Sequence, residues 1–240
     1  YATAECDDPW DIAAQERAGE RELHALVREA NARLKSDGRD ARIHLFKNNA
    51  DSQGNSFGSH ENYLVERKGE FTRLPALLLP FLITRQIVTG AGGVLEGEGG
   101  PVFGFSLRAD HMWETVSSAT TRARPIINTR DEPHGDPSRY RRLHVISGDS
   151  TMSEVSTWLR FAMTFAVLRF IEDGHAFADF ELADPISDIR RIARDLTASE
   201  PLQLKNGGVS TALSIQRAYF SALERTYDDL DPRMMDTWDR

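Results

Sequence analysis

Apolar and polar positions along this chain change period several times, and each change marks an element. Between Asp8 and Asp37 the apolar residues Leu23, Leu26, Val27, Ala30 and Leu34 recur at helical spacing. Asp8 ahead of Pro9 is a helix N-cap with proline at the first helical position, and Asp37-Gly38 is a stop, so one long helix is expected between them. Arg42 to Lys47 alternates, with Ile43 and Leu45 on one side. Ser59 to Glu66 alternates again, with His60, Asn62 and Leu64 on one face, and the two runs are expected to pair antiparallel through the polar loop Asn48 to Ser56. Leu74 to Val88 reads as a buried helix bent or restarted at Pro80 and ended by the glycines from Gly90 to Gly93.

Further strands are expected at Val102 to Ser106, Pro125 to Thr129 and Arg141 to Ser147. A helix capped by Asp149 or Ser150 should fill Thr151 to Asp173 and stop at Gly174, with Val155, Leu159, Ala162, Ala166 and Phe170 as its apolar stripe. Asp184-Pro185 caps a shorter helix, and Ser210 begins another that holds Leu213, Ile215, Ala218 and Ala222. Strands and helices do not alternate one for one. The expected class is therefore α+β, with an antiparallel sheet and helices packed on one face, in a single domain over residues 1–240.

Charge narrows the partners. The 240 residues carry 29 Lys and Arg against 37 Asp and Glu, a net charge of −8, which on the whole repels nucleic acid and anionic membranes. The longest apolar stretch, Leu74 to Ile83, is about half of the ~18 residues that would suggest a membrane span. The single cysteine, Cys6, has no partner for an internal disulfide and suits the cytoplasm, and its acidic neighbours disfavour a thiolate. The chain opens on Tyr1 without a methionine or a signal sequence, so it is expected to be a piece that is incomplete at the front.

Two constellations can carry chemistry. The run Gly54 to Tyr63 is a glycine-marked loop leading into a strand with polar groups on both faces: His60 and Asn62 on one, Glu61 and Tyr63 on the other. Such a strand lacks a clean core face where it begins, which points to a bound polar group; the plainer alternative is a sheet end whose polar groups are satisfied by loops. From Arg122 to Arg142 there are six arginines against three acids. The planar five-donor guanidinium matches phosphate and carboxylate oxygens, so this run suits a nucleoside triphosphate or an acidic peptide, unless its arginines are simply paired on a solvated surface. Zinc spacings, phosphate-binding glycine loops and a Ser-His-Asp arrangement are missing from the sequence.

Gly58-Ser59-His60-Glu61-Asn62-Tyr63-Leu64, the run Arg124 to His134, and Tyr140 to Ile146 together resemble the Pup ligase and depupylase family. The opening Tyr1 to Asp7 and the stretch Arg108 to Arg122, with its Ser-Ser-Ala-Thr-Thr run, are similar to the ligase branch. The resemblance implies a curved antiparallel sheet like that of glutamine synthetase, binding ATP and Mg2+. It also implies phosphorylation of the C-terminal glutamate side chain of Pup, a small acidic disordered protein, followed by isopeptide ligation to lysines of substrate proteins, marking them for proteasomal degradation. In that family the metal-binding Glu-x-Glu strand and the catalytic aspartate precede the position of Tyr1, and a small C-terminal domain follows, so this piece alone is expected to be inactive. By the same resemblance Thr3 is an ATP contact, His60 serves the metal and Asn62 the phosphates, while Arg130 and Arg142 are expected phosphate ligands by type and position. The alternatives are a Pup deamidase or depupylase, which uses water as acceptor, and a non-catalytic binder of an acidic disordered peptide.

Overall fold

In the computed structural model, which describes residues 1–67, 73–97, 99–118, 124–132 and 134–239, helix α1 spans Pro9–Ser36. Its ends are set locally: Asp8 accepts the Trp10 amide at 2.8 Å, and the chain leaves through Gly38 at φ +65°. The expected apolar stripe is not the face that docks. Leu23 and Leu26 are exposed, whereas Ala13 and Gly19 are buried and Trp10 stacks on Trp158, ring centroids 4.4 Å apart. The first half of α1 lies on the core, and the rest runs past it.

Residues 42–47 do not form the expected strand. The Asn31 side chain takes the place of a ladder partner: its Oδ1 accepts from the Ile43 amide at 2.7 Å and its Nδ2 donates to the Ile43 carbonyl at 3.0 Å. Strand β1, Glu61–Glu66, pairs instead with β6, Tyr140–Val145, placing Asn62 opposite His144 and Leu64 opposite Arg142.

Between these two strands lie α2 (Leu74–Thr84), α3 (Gln86–Thr89), the hairpin β2 (Gly93–Gly97) and β3 (Gly100–Gly104), a 3-10 turn (Ala109–His111), β4 (Glu114–Ser117) and β5 (Pro125–Asn128). Helix α2 runs through Pro80, and the chain breaks at Arg85 instead. The main sheet has the order β1-β6-β5-β4. It is antiparallel except for β4, which joins β5 in parallel, a departure from the fully antiparallel expectation.

Helix α4, Glu154–Glu172, is capped by Ser153 rather than by Asp149 or Ser150, and packs between α1 and β1. Its residues from Thr157 to Thr164 are buried all round, as expected of a helix covered on both sides. Asp184 caps α5, Pro185–Arg194, as expected. The short hairpin β7 (Leu202–Gln203) and β8 (Val209–Ser210), then α6 (Ala212–Thr226) and α7 (Pro232–Asp239), complete the chain. Aromatic contacts among Phe81, Phe177, Tyr219 and Trp238 tie α2, α6 and α7 together. Among the described residues no helix is long and apolar enough to cross a membrane.

Candidate functional site

Strand alternation divides β1 between two environments. Glu61, Tyr63 and Val65 face the core, while His60, Asn62 and Leu64 are exposed on the opposite face. The inward polar group does not await a ligand. Both Glu61 oxygens are gripped by the Arg85 guanidinium from the break after α2, the Tyr63 hydroxyl donates to Glu61 at 2.5 Å, and Arg160 of α4 stands beside it. Burial works to raise the Glu61 carboxyl, but the two guanidinium groups outweigh it and hold the carboxyl below its usual range. Arg160 also donates to Ser59 Oγ at 2.9 Å, so Ser59 points inward and His60 outward.

The open face is built by register. Asn62 lies opposite His144, His144 opposite Asn128, and Asn128 opposite Ser117, so one polar row crosses all four strands. His60 Nδ1 is 3.2 Å from His144 Nε2. Arg108, just before the 3-10 turn, is 2% exposed; its Nη1 donates to Ser56 Oγ at 2.6 Å and its Nη2 to the Ile146 carbonyl at 2.8 Å. A Cβ added to Gly58 would stand 2.8 Å from the His60 ring and 3.0 Å from Arg108 Nη2, so glycine is what lets these two groups share the corner.

Electrostatics give this face one sign. Burial, then His60 and Arg142, push His144 down to about 4, and burial together with Arg108 lowers His60. Burial brings Arg108 down to about 10, with nearby Arg124 acting in the same direction. Arg124 reaches His111 Nδ1 at 3.3 Å, and that imidazole is lowered by burial and by both arginines. Arg108 Nε and Arg142 Nε are buried without a hydrogen-bond partner. Cations that suppress one another's charge and leave donors unused form a receptacle for an anion.

The structure gathers only part of the expected site. His60, Asn62 and Arg142 share the open face of β1 and β6. Arg130 lies beyond the end of β5, half exposed, with Nη2 2.7 Å from Glu132. Thr3 is exposed on a segment whose bonds, from Tyr1 and Ala4, run to Gln15 of α1. The arginine run does not act as one patch, because alternation sends Arg141 to the Val65 side of β6 and Arg142 to the Leu64 side, while Arg139 lies over Tyr140. Arg122, with Ala119, Thr120, Thr121 and Ala123 of the ligase-like run, and Pro133 lie outside the described residues. Asn128 was expected beside the groove together with Arg130, but Arg108, His144 and Ser117 were not singled out from sequence; the second of two short alternating strands reveals its face only once its partner is known.

Magnesium favours hard oxygen ligands, whereas the groups that meet His60 on the open face are Arg108 and His144, and Glu61 beside it turns into the core. Among the described residues no three His, Cys, Asp or Glu side chains come together as a metal site. Among the described residues, those around His60 therefore do not by themselves fit a magnesium ion.

The fold is that of an α+β protein whose open sheet face gathers guanidinium and imidazole groups. Comparison with known proteins carries the assignment further. The profile of the family described as Pup-ligase protein matches residues 1–240. Over its whole length the chain is 60% identical to the Pup–protein ligase of Brachybacterium faecium and 52% identical to that of Renibacterium salmoninarum, covering 53% of each. It matches the structure of the Pup ligase PafA in complex with ADP at a TM-score of 0.90 and 43% identity, covering 100% of this chain and 55% of that one. The structure of the complex between Pup and PafA matches at 0.89 and 40% identity, over 99% of this chain and 50% of the other. The chain belongs to the Pup-ligase family, and it spans about half the length of the curated relatives it matches.

Proposed function

We propose that this chain supplies the nucleotide-binding face of an ATP-dependent ligase that joins Pup to lysines of substrate proteins. The observation that carries the reading is the pair of unused guanidinium donors at Arg108 and Arg142 beside the open sheet face, in a chain whose relatives include a structure solved with ADP. We assign Arg108 and Arg142 to phosphate oxygens, because each has a buried, unused donor, and Asn62 to the same anion as a neutral donor. His60 and His144, held neutral, orient one another and present a donor without adding charge. Arg130 reaches the nucleotide only on release from Glu132, and Thr3, exposed beside Ala4, is assigned to the nucleotide by resemblance alone.

The chemistry follows from what a carboxylate lacks. It is a poor electrophile, so a glutamate oxygen of Pup attacks the γ-phosphorus of ATP, ADP leaves, and the resulting acyl phosphate is attacked by a lysine amine, releasing phosphate and forming the isopeptide bond. The guanidinium groups neutralise charge on the phosphoryl group in flight. Magnesium, when bound, would supply further charge neutralisation.

The test is the full-length protein with ATP, Pup and a lysine-bearing protein, read by mass spectrometry. A Pup–lysine conjugate is expected. Deamidation of a Pup terminal glutamine with no conjugate would establish the deamidase alternative, and ATP-independent binding of Pup without chemistry would establish the binder.

A further inference from the structure

Three separate segments meet beneath the corner that holds Arg108 and His60, and one side chain joins them. Asp149, in the loop that follows β6, is 3% exposed. Its Oδ1 accepts from Ser106 Oγ at 2.9 Å and from the Arg108 amide at 3.3 Å, and its Oδ2 accepts from the Ala91 amide at 3.1 Å. Its own carbonyl accepts from Arg160 Nη1, the guanidinium that also holds Ser59 beside His60. Next to it, the Asn49 amide brackets Ser150, accepting from its amide at 2.6 Å and donating to its carbonyl at 2.8 Å; this anchors the loop whose Ser56 receives Arg108.

The arrangement is costly unless it serves a purpose. Burial raises the Asp149 carboxyl, and none of its three bonds comes from a guanidinium. All three partners are donors, so only a group with acceptors on both sides satisfies them; an amide in its place would turn an NH2 towards an N–H. The Arg108 side chain is held at its tip by Ser56 and Ile146, and its backbone is held by Asp149. Around the buried network three guanidinium groups, Arg85, Arg108 and Arg160, face two carboxylates, Glu61 and Asp149. Arg85 pairs with Glu61, Arg160 lies near both carboxylates and Asp149 also acts on Arg108, so one positive charge is left over in the network as a whole.

We propose that Asp149 is the positioning residue of the anion site: by fixing the Ser106–Arg108 backbone against the Ala91 loop and Arg160, it sets where the Arg108 guanidinium meets the ligand. The inference rests on the reading that Arg108 binds a nucleotide phosphate, and the experiment separates the two. ADP affinity would be measured by calorimetry on the full-length protein for wild type, Asp149→Asn, Arg108→Gln and the double variant, with thermal denaturation of each. Arg108→Gln is expected to weaken ADP binding by roughly tenfold or more, the loss of a charged hydrogen bond. Asp149→Asn is expected to weaken it several-fold in wild type and to have almost no additional effect in the Arg108→Gln background.

If Arg108→Gln leaves ADP binding unchanged, the phosphate reading of Arg108 fails. If Arg108→Gln weakens binding and Asp149→Asn then adds its full effect on top, Asp149 has a general structural role and the positioning inference is overturned. Should Asp149→Asn not fold, Ser106→Ala removes one bond to the same carboxylate and is expected to give a smaller loss, again absent in the Arg108→Gln background. A loss that persists there would equally overturn the proposal.

Discussion

The two faces of β1 carry similar groups and treat them in opposite ways. On the inner face Glu61 is gripped by Arg85 and flanked by Arg160, so its carboxylate is matched within the fold. On the outer face His60, His144, Arg108 and Arg142 stand together, and among the described residues none of their side chains forms an ion pair with a carboxylate. Buried charge that is matched reads as architecture; charge of one sign left unmatched beside unused donors reads as a place for something the chain does not itself contain.

The sharpest way to break this contrast is on the matched face. Glu61→Gln leaves two guanidinium groups without their counter-ion and is expected to cost about 3–5 kcal/mol of stability, read from denaturant unfolding of the full-length protein. A loss below about 1 kcal/mol would mean that the inner charges are solvated in some other way. On the unmatched face the signs reverse. Arg142→Gln should leave the unfolding midpoint unchanged or slightly raised, because repulsion is relieved, and should weaken ADP binding by roughly tenfold; a lower midpoint with intact binding would put Arg142 in the architecture.

Acidity gives a third, smaller handle. His144 is pushed down to about 4 in the folded chain, against about 6.5 for an unperturbed histidine. The unfolded chain takes up that proton first, so stability is full above about pH 6.5 and declines as pH falls towards 4. His144→Gln should flatten this part of the profile, and an unchanged slope would show that the two imidazoles titrate normally. The smallest effect is expected at Arg130. Its ion pair with Glu132 is half exposed on both sides, so Arg130→Ala should alter stability by less than about 1 kcal/mol and ADP affinity by less than Arg142→Gln does. A larger loss of affinity would place that guanidinium on the nucleotide.

What the sequence disclosed was local. The caps at Asp8-Pro9 and Asp184-Pro185 and the stops at Gly90 and Gly174 appear where they were expected, because a cap is decided by its immediate neighbours. The partner of β1 was misjudged because pairing is a long-range choice: residues 42–47 alternate like a strand, yet β6 has the register, and an asparagine side chain satisfies Ile43. The arginine run was visible, but alternation and surface pairing dispersed it. Arg108 and Asp149 were hidden for the opposite reason: each stands alone in sequence and gains its meaning from segments 38 or more positions away.

Gly148 shows how narrow the tolerance of such a junction is. A methyl group there would sit 2.6 Å from Glu61 Oε1 and 3.0 Å from Arg160 Nη1, wedging apart the inner ion cluster one position before Asp149. In a saturation library this site should therefore accept its present occupant alone, while Leu64, exposed one strand away, accepts nearly anything. The least conspicuous residue of the molecule would then be among its least replaceable.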